Sequence, residues 1–213
     1  MKWAKQLKQF NNIPFGHGAL LSLLKDYKRP NDKISRMLAE GDILKIKRGL
    51  YVLSSEYRTA PVSKPLLANL IYGPSYVSLD FALSYYGLIP EGVFEISSMT
   101  PKRVKYYDTP LGRFTYTHSF ASLYGIGIVS EASADGSCFL IASPEKALCD
   151  KVVFTKKLSA TSVKAMRTFL TEDLRIDLED LTQLDLAIIG QCCDCGYKTR
   201  QLNALYQVVE AGA

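Results

Sequence analysis

The sequence predicts an α+β protein in two modules, a small basic head at residues 1–58 and a larger mixed α+β module at 59–213. Three observations carry that expectation. Positive charge is concentrated at the start: Met1 to Arg58 holds 12 lysines and arginines against 5 aspartates and glutamates, a balance of +7. The rest of the chain, with 14 against 16, carries −2. Within Asn31–Leu53 the apolar residues change from helical spacing to a β-rich run folded about a glycine. Beyond Val62 the patterns read helix, then strands, then helices, which is an α+β order.

The head divides into elements as follows. Trp3 to Phe10 forms a first helix with Trp3, Leu7 and Phe10 on one side, broken by Asn11, Asn12 and Pro14. Gly18 to Tyr27 supplies a second, with Leu20, Leu21, Leu23 and Leu24 as its apolar surface. Lys28-Arg29-Pro30 is the turn into a third, which Asn31 is expected to cap through its side-chain oxygen. Ile34, Met37 and Leu38 make one apolar stripe, leaving Lys33, Arg36 and Glu40 outward. Gly41 stops the helix, because it adopts a left-handed conformation cheaply. Ile43, Leu44 and Ile46 then lead to Lys47-Arg48-Gly49, and Leu50, Tyr51 and Val52 return as the second strand of a hairpin.

Helix, glycine stop and basic hairpin in this order form the second half of a winged helix-turn-helix. Such a unit lays one helix in the DNA major groove and a wing against the backbone. The expected DNA contacts are Arg29, Asn31, Lys33, Ser35 and Arg36 from the helix and its leading turn, and Lys45, Lys47 and Arg48 from the wing. A surface helix and hairpin whose charges serve only solubility would show the same pattern. The concentration of charge in the head favours a polyanion-binding function. Ser54 to Pro61, polar and ending in proline, reads as a linker.

In the second module Leu66, Leu67, Leu70 and Ile71 suggest a helix ending before Gly73-Pro74. Ser78 caps another, with Leu79, Ala82, Leu83 and Tyr86 inward and Gly87 stopping it. Strands follow around Phe94 and Ile96, Val104 to Thr109, Phe114 and Tyr116, Ile126 to Val129, and Phe139 to Ile141. Ser143-Pro144-Glu145 is a helix start: a cap, a proline in the first turn, and a carboxylate near the positive helix end. Helices then run to the C-terminus.

Composition excludes several classes. No stretch is long and apolar enough to span a bilayer as a helix. Met1 to Phe10 is charged throughout and is no secretory signal, so a cytoplasmic location is expected. Five cysteines, three of them at Cys192, Cys193 and Cys195, argue against a disulfide framework. His17 and His118 lie far from that cluster, so reduced structural thiols are expected rather than a metal site. Ser143-x-x-Lys146 matches the bare pattern of serine acyl-enzymes, but a helix cap followed by a surface lysine explains it better. Asp80, Glu91, Glu95 and Asp108 show no diagnostic pairing, and no phosphate-binding glycine loop occurs. Neither catalysis nor a cofactor is expected. Lys102, Arg103, Lys105 and Arg113 form a basic patch, read as the solvated face of a hairpin in preference to a supplementary DNA contact. Tyr72, Tyr76, Tyr85, Tyr86, Tyr106 and Tyr107 are read as core residues with polar tips. They would line an effector pocket if the chain were instead a ligand-responsive transcription factor. RNA binding ranks below both readings, because the strands lack the matching motif.

Three segments resemble the AbiEi-family antitoxins of bacterial abortive-infection systems. LAEGDILKIKRGLYVL, from Leu38 to Leu53, is similar to their helix end and wing. YVSLDFALSYYGLIPE, from Tyr76 to Glu91, is similar to a helix and turn of their second module. SPEKALCDKVVF, from Ser143 to Phe154, is similar to their serine-proline-glutamate helix start. Together these span most of residues 15 to 155 in the family's order; the chain after about Leu158 carries no match. The resemblance implies a repressor that binds inverted repeats in its own promoter, where a homodimer would sit. It also implies an antitoxin acting against a nucleotidyltransferase-type toxin without a stable complex.

Overall fold

The computed structural model describes residues 7–212, so Trp3 and half of the first expected helix lie outside the described residues. Strand β1 (Phe15–Gly16) leads into helix α1 (His17–Leu23), which is shorter than the sequence suggested. Leu20 of the helix and Leu24 just beyond its end are fully buried, whereas Leu21 and Leu23 are half-buried. The polar run Lys25 to Arg29 then stays exposed. Helix α2 (Pro30–Ala39) starts two residues earlier than expected. Arg29 holds the cap position without a side-chain bond and Pro30 is the first helical residue, so Asn31 is no cap and its side chain is exposed. Proline suits that place, because its missing N–H would be unpaired there in any case.

Strands β2 (Ile43–Lys47) and β3 (Leu50–Leu53) form the expected hairpin, and β1 adds a third strand in the order β1-β3-β2. Two cores meet on this small sheet. Ile43, Tyr51 and Leu53 join Leu7, Phe15, Leu20, Leu24, Ile34 and Met37 on the head side. Ile46, Leu50 and Val52 belong to the core of the second module. All four residues of β3 are therefore buried. The linker holds a short 3-10 turn at Ser55–Tyr57, and the Tyr57 hydroxyl donates to Asp42 at 2.8 Å. Asn12 bonds the Asp135 side chain, and Thr59 donates to Asn11 at 2.9 Å, tying the head to the second module.

The second module is built on a mixed six-stranded sheet, and the chain is α+β as a whole. Helix α3 (Lys64–Ile71) precedes β4 (Tyr76–Val77), and α4 (Leu79–Tyr85) precedes β5 (Ile96–Thr100). Then come β6 (Lys105–Thr109), β7 (Gly112–His118), the short α5 (Ala121–Tyr124), β8 (Ile128–Ala132) and β9 (Cys138–Ala142). The strand order is β6-β7-β5-β4-β9-β8. β5 runs parallel to β7, and β4 to β9; the other pairs are antiparallel. Phe94 falls outside β5 and is 86% exposed, against the expected alternation with Ile96, because pairing with β7 begins only at Ile96↔Phe114.

Helix α6 (Pro144–Phe154) is central: eight of its residues are buried, and it packs on α4 and on α8 (Leu186–Cys193). Three of the eight, Glu145, Lys146 and Asp150, are charged types, so the helix is buried by its neighbours and not by an apolar sequence alone. Helices α7 (Val163–Thr168) and α9 (Thr199–Glu210) complete the C-terminal layer. No described helix is long and apolar enough to cross a membrane.

Candidate nucleic-acid interface

Helix α2 is anchored by Ile34 and Met37, which are buried in the head core. The opposite face presents Asp32, Ser35, Arg36 and Ala39, all exposed and spaced i, i+3, i+4, i+7. Asn31 lies exposed at the leading end, while Lys33 is half-buried beside the anchoring face. Arg29 sits 3.7 Å from Asp32 in a pair that is open to solvent on both sides, so it holds neither side chain firmly. The helix ends as Gly41 requires. Its φ is +78°, and the Asp42 N–H donates to the Met37 carbonyl at 2.9 Å while the Gly41 N–H donates to Leu38 at 3.3 Å. Those two bonds form a left-handed glycine cap. It turns the chain straight into the hairpin.

The hairpin tip is equally constrained. Gly49 has φ +81°, and its carbonyl accepts from the His17 N–H at 3.1 Å, which fixes the tip against the start of α1. Pairing runs from Ile43↔Leu53 to Lys45↔Tyr51, then shifts to Lys47↔Leu50, a bulge at Ile46. A bulge re-aims the side chains beyond it. Lys45 and Arg48 are exposed. Lys47 is not part of that exposed set, contrary to the sequence reading. Its ammonium donates to the Ile71 carbonyl at 2.5 Å, at the end of α3. Burial, with Lys105 and Lys102 nearby, pulls the Lys47 pKa below the usual lysine value.

The basic patch of the second module lies beside this junction. The Lys102 ammonium donates to the Gly73 carbonyl at 2.6 Å, and Lys102 and Lys105 stand 5.4 and 5.5 Å from the Tyr72 ring. Arg113 is drawn to Glu95 at 3.5 Å and Asp108 at 3.8 Å, with the Tyr106 ring 4.9 Å away. Arg103 is exposed. The patch is thus in large part occupied with its own module.

If the wing meets DNA phosphate, only its exposed cations contribute. Lys45→Ala and Arg48→Ala are each expected to lower the slope of log affinity against log salt by about one unit. Lys47→Ala should leave that slope unchanged and reduce stability instead. A titration in which Lys47→Ala lowers the slope as much as Arg48→Ala would place Lys47 back on the DNA.

A second cluster of charged chemistry was not foreseen. Lys146 is fully buried, not a surface lysine. Its ammonium donates to Asp150 at 2.6 Å and to the Leu123 carbonyl at 2.8 Å. The other Asp150 oxygen accepts from Ser78 at 2.7 Å and Tyr76 at 3.0 Å. Ser78 therefore stands at the start of α4 without capping it, because its hydroxyl is committed to Asp150. Burial pushes the Asp150 carboxyl up, against the pull of Lys146 and the two hydroxyls. Burial and the Asp150 charge push the Tyr76 hydroxyl far up, so it remains a donor. Ser143 caps α6 by accepting from the Lys146 N–H at 3.3 Å, whereas the Glu145 carboxylate reaches away to accept from the Asp185 N–H at 3.0 Å. Ser143 and Lys146 thus bond through the backbone amide, and the lysine ammonium is engaged elsewhere, so the S-x-x-K spacing marks a capped helix. Gly127 makes this packing possible. A Cβ there would stand 2.8 Å from the Lys146 Cβ and 3.2 Å from the Ser143 hydroxyl. The i, i+4 spacing of Lys146 and Asp150 inside an apolar run was the available signal.

All five cysteines carry free thiols. Bonding to Cys192 and burial push the Cys149 thiol up, and burial with the neighbouring Cys192 raises Cys193 to about 11. Among the described residues no three His, Cys, Asp or Glu side chains converge as a metal site. Compared with known proteins, the chain matches no protein-family model and no curated protein.

Proposed function

We propose that the chain is a DNA-binding transcriptional repressor whose head acts as a winged helix-turn-helix, with α2 in the major groove and the β2–β3 hairpin as the wing. The observation that carries this reading is the exposed stripe of α2, with Arg36 at its centre, followed by a hairpin fixed by Gly49 that exposes Lys45 and Arg48. Asn31, Ser35 and Arg36 face bases, with Lys33 and Arg29 at the edges of the contact. The resemblance to AbiEi-family antitoxins extends the proposal. A homodimer represses its own operon at promoter inverted repeats, and the second module, without catalysis, counters a nucleotidyltransferase-type toxin with which it forms no stable complex.

The test uses the full chain carrying Arg36→Ala. A bidentate arginine–guanine contact discriminates by about 1–3 kcal/mol. Affinity for the promoter should therefore fall about tenfold or more relative to random duplex DNA. In cells the variant should derepress the promoter and still rescue growth from a toxin expressed independently. Equal losses on promoter and random DNA would remove Arg36 from base readout. Lost rescue with independent toxin expression would show that DNA binding itself carries the antitoxin effect.

A further inference from the structure

The linker between the hairpin and α3 borders a cleft of about 400 Å³, a size suited to a small molecule. Its walls include Arg58, Pro61 and Val62 from the linker, Lys64 from the first turn of α3, and Leu111 from the β6–β7 turn. The Arg58 Nε atom is buried and has no hydrogen-bond partner. Neither Arg58 nor Lys64 has an ion-pair partner among the described residues. None of the residues lining the cleft is acidic. Buried polar atoms in folded proteins are almost always paired, and a guanidinium stays charged at any physiological pH. Arg58 thus brings an unpaired guanidinium to a cleft that has a second cation and apolar walls, a donor site for an oxyanion.

We propose that this cleft binds a small organic carboxylate with a compact apolar body. The carboxylate accepts from the Arg58 guanidinium, whose planar donors match it with two parallel hydrogen bonds. Lys64 adds a point charge from the other wall. The apolar body lies against Pro61, Val62 and Leu111. A bare phosphate would leave those walls wet and would find only two cations for its charge. Bound in this way, the ligand ties the linker to the second module. The site stands independently of DNA recognition, since neither cation belongs to the proposed DNA surface.

Calorimetry on the full chain tests it, with benzoate and 4-methylvalerate as probes, benzamide as the neutral counterpart of benzoate, and inorganic phosphate. The two carboxylates should bind, and benzamide and phosphate should bind at least about tenfold more weakly, the loss expected for a charge-assisted hydrogen bond. Arg58→Gln should weaken benzoate by a similar factor, Arg58→Lys by less, and Lys64→Gln should also weaken it. Thermal unfolding of each variant checks its fold. If Arg58→Gln does not fold, Lys64→Gln and the benzamide comparison decide. Failure of both carboxylates to bind, benzamide binding as tightly as benzoate, phosphate binding as tightly as either carboxylate, or an unchanged affinity in the folded variants overturns the proposal.

Discussion

Replacing Asp150 with alanine is expected to destabilise the protein by about 3–5 kcal/mol, because it leaves the Lys146 ammonium charged in a closed interior. The same change removes the shared acceptor of the Ser78 and Tyr76 hydroxyls. Domains are stable by only about 5–15 kcal/mol, so the loss takes a large part of the total. Urea unfolding should show a lower midpoint with a similar slope, and thermal unfolding should begin roughly 10 °C earlier. The double variant Lys146→Met, Asp150→Leu is the informative control. Removing both charges at once avoids the stranded ammonium, so the double change should cost much less than the single one. A single change costing under about 1 kcal/mol would mean that water reaches Lys146.

Cutting the chain after Arg58 is expected to unfold the head, although its sequence reads as a separate module. The cut uncovers Ile46, Leu50 and Val52, which are buried in the core of the second module. Each such side chain stabilises by about 1.5–3 kcal/mol when buried. The cut also removes the Ile71 carbonyl from Lys47 and Asp135 from Asn12. Circular dichroism of residues 1–58 should show little cooperative melting, and promoter binding should fall far below that of the full chain. A fragment that melts cooperatively and keeps full affinity would show that the head stands alone.

The local elements of the head were legible because each has a short-range cause. The Ile34–Met37 spacing makes the helix, Gly41 ends it, and the β-branched run folds at Gly49. The side of the hairpin that Lys47 would serve was not legible. Alternation predicts it beside Lys45, and only the bulge at Ile46 sends it to Ile71. Asn31 misled because a cap preference competes with proline's preference for the first helical position, and proline prevailed. Phe94 alternates correctly with Ile96 yet has no neighbouring strand to pair with, a fact set by topology. The largest omission was Lys146 and Asp150. Charged residues at i, i+4 usually mark a solvated face, and burial reverses that reading only when helices distant in sequence cover it.

Gly127 has a consequence for how such a chain can change over generations. It lies in the positive-φ region, at +58°, with the Lys146 and Ser143 side chains pressed against the place where a Cβ would be. A side chain arriving there would push on α6 and so on the partners of a buried charge. Drift at this glycine is therefore closed: a smaller residue at 146 still carries a Cβ at that point, the Ile188 methyl stands 3.0 Å away, and the positive φ strains any side chain. The smaller residue would also leave Asp150 without its cation. Descendants should therefore keep the glycine throughout, whereas Lys146 and Asp150 should either both persist or have been exchanged together.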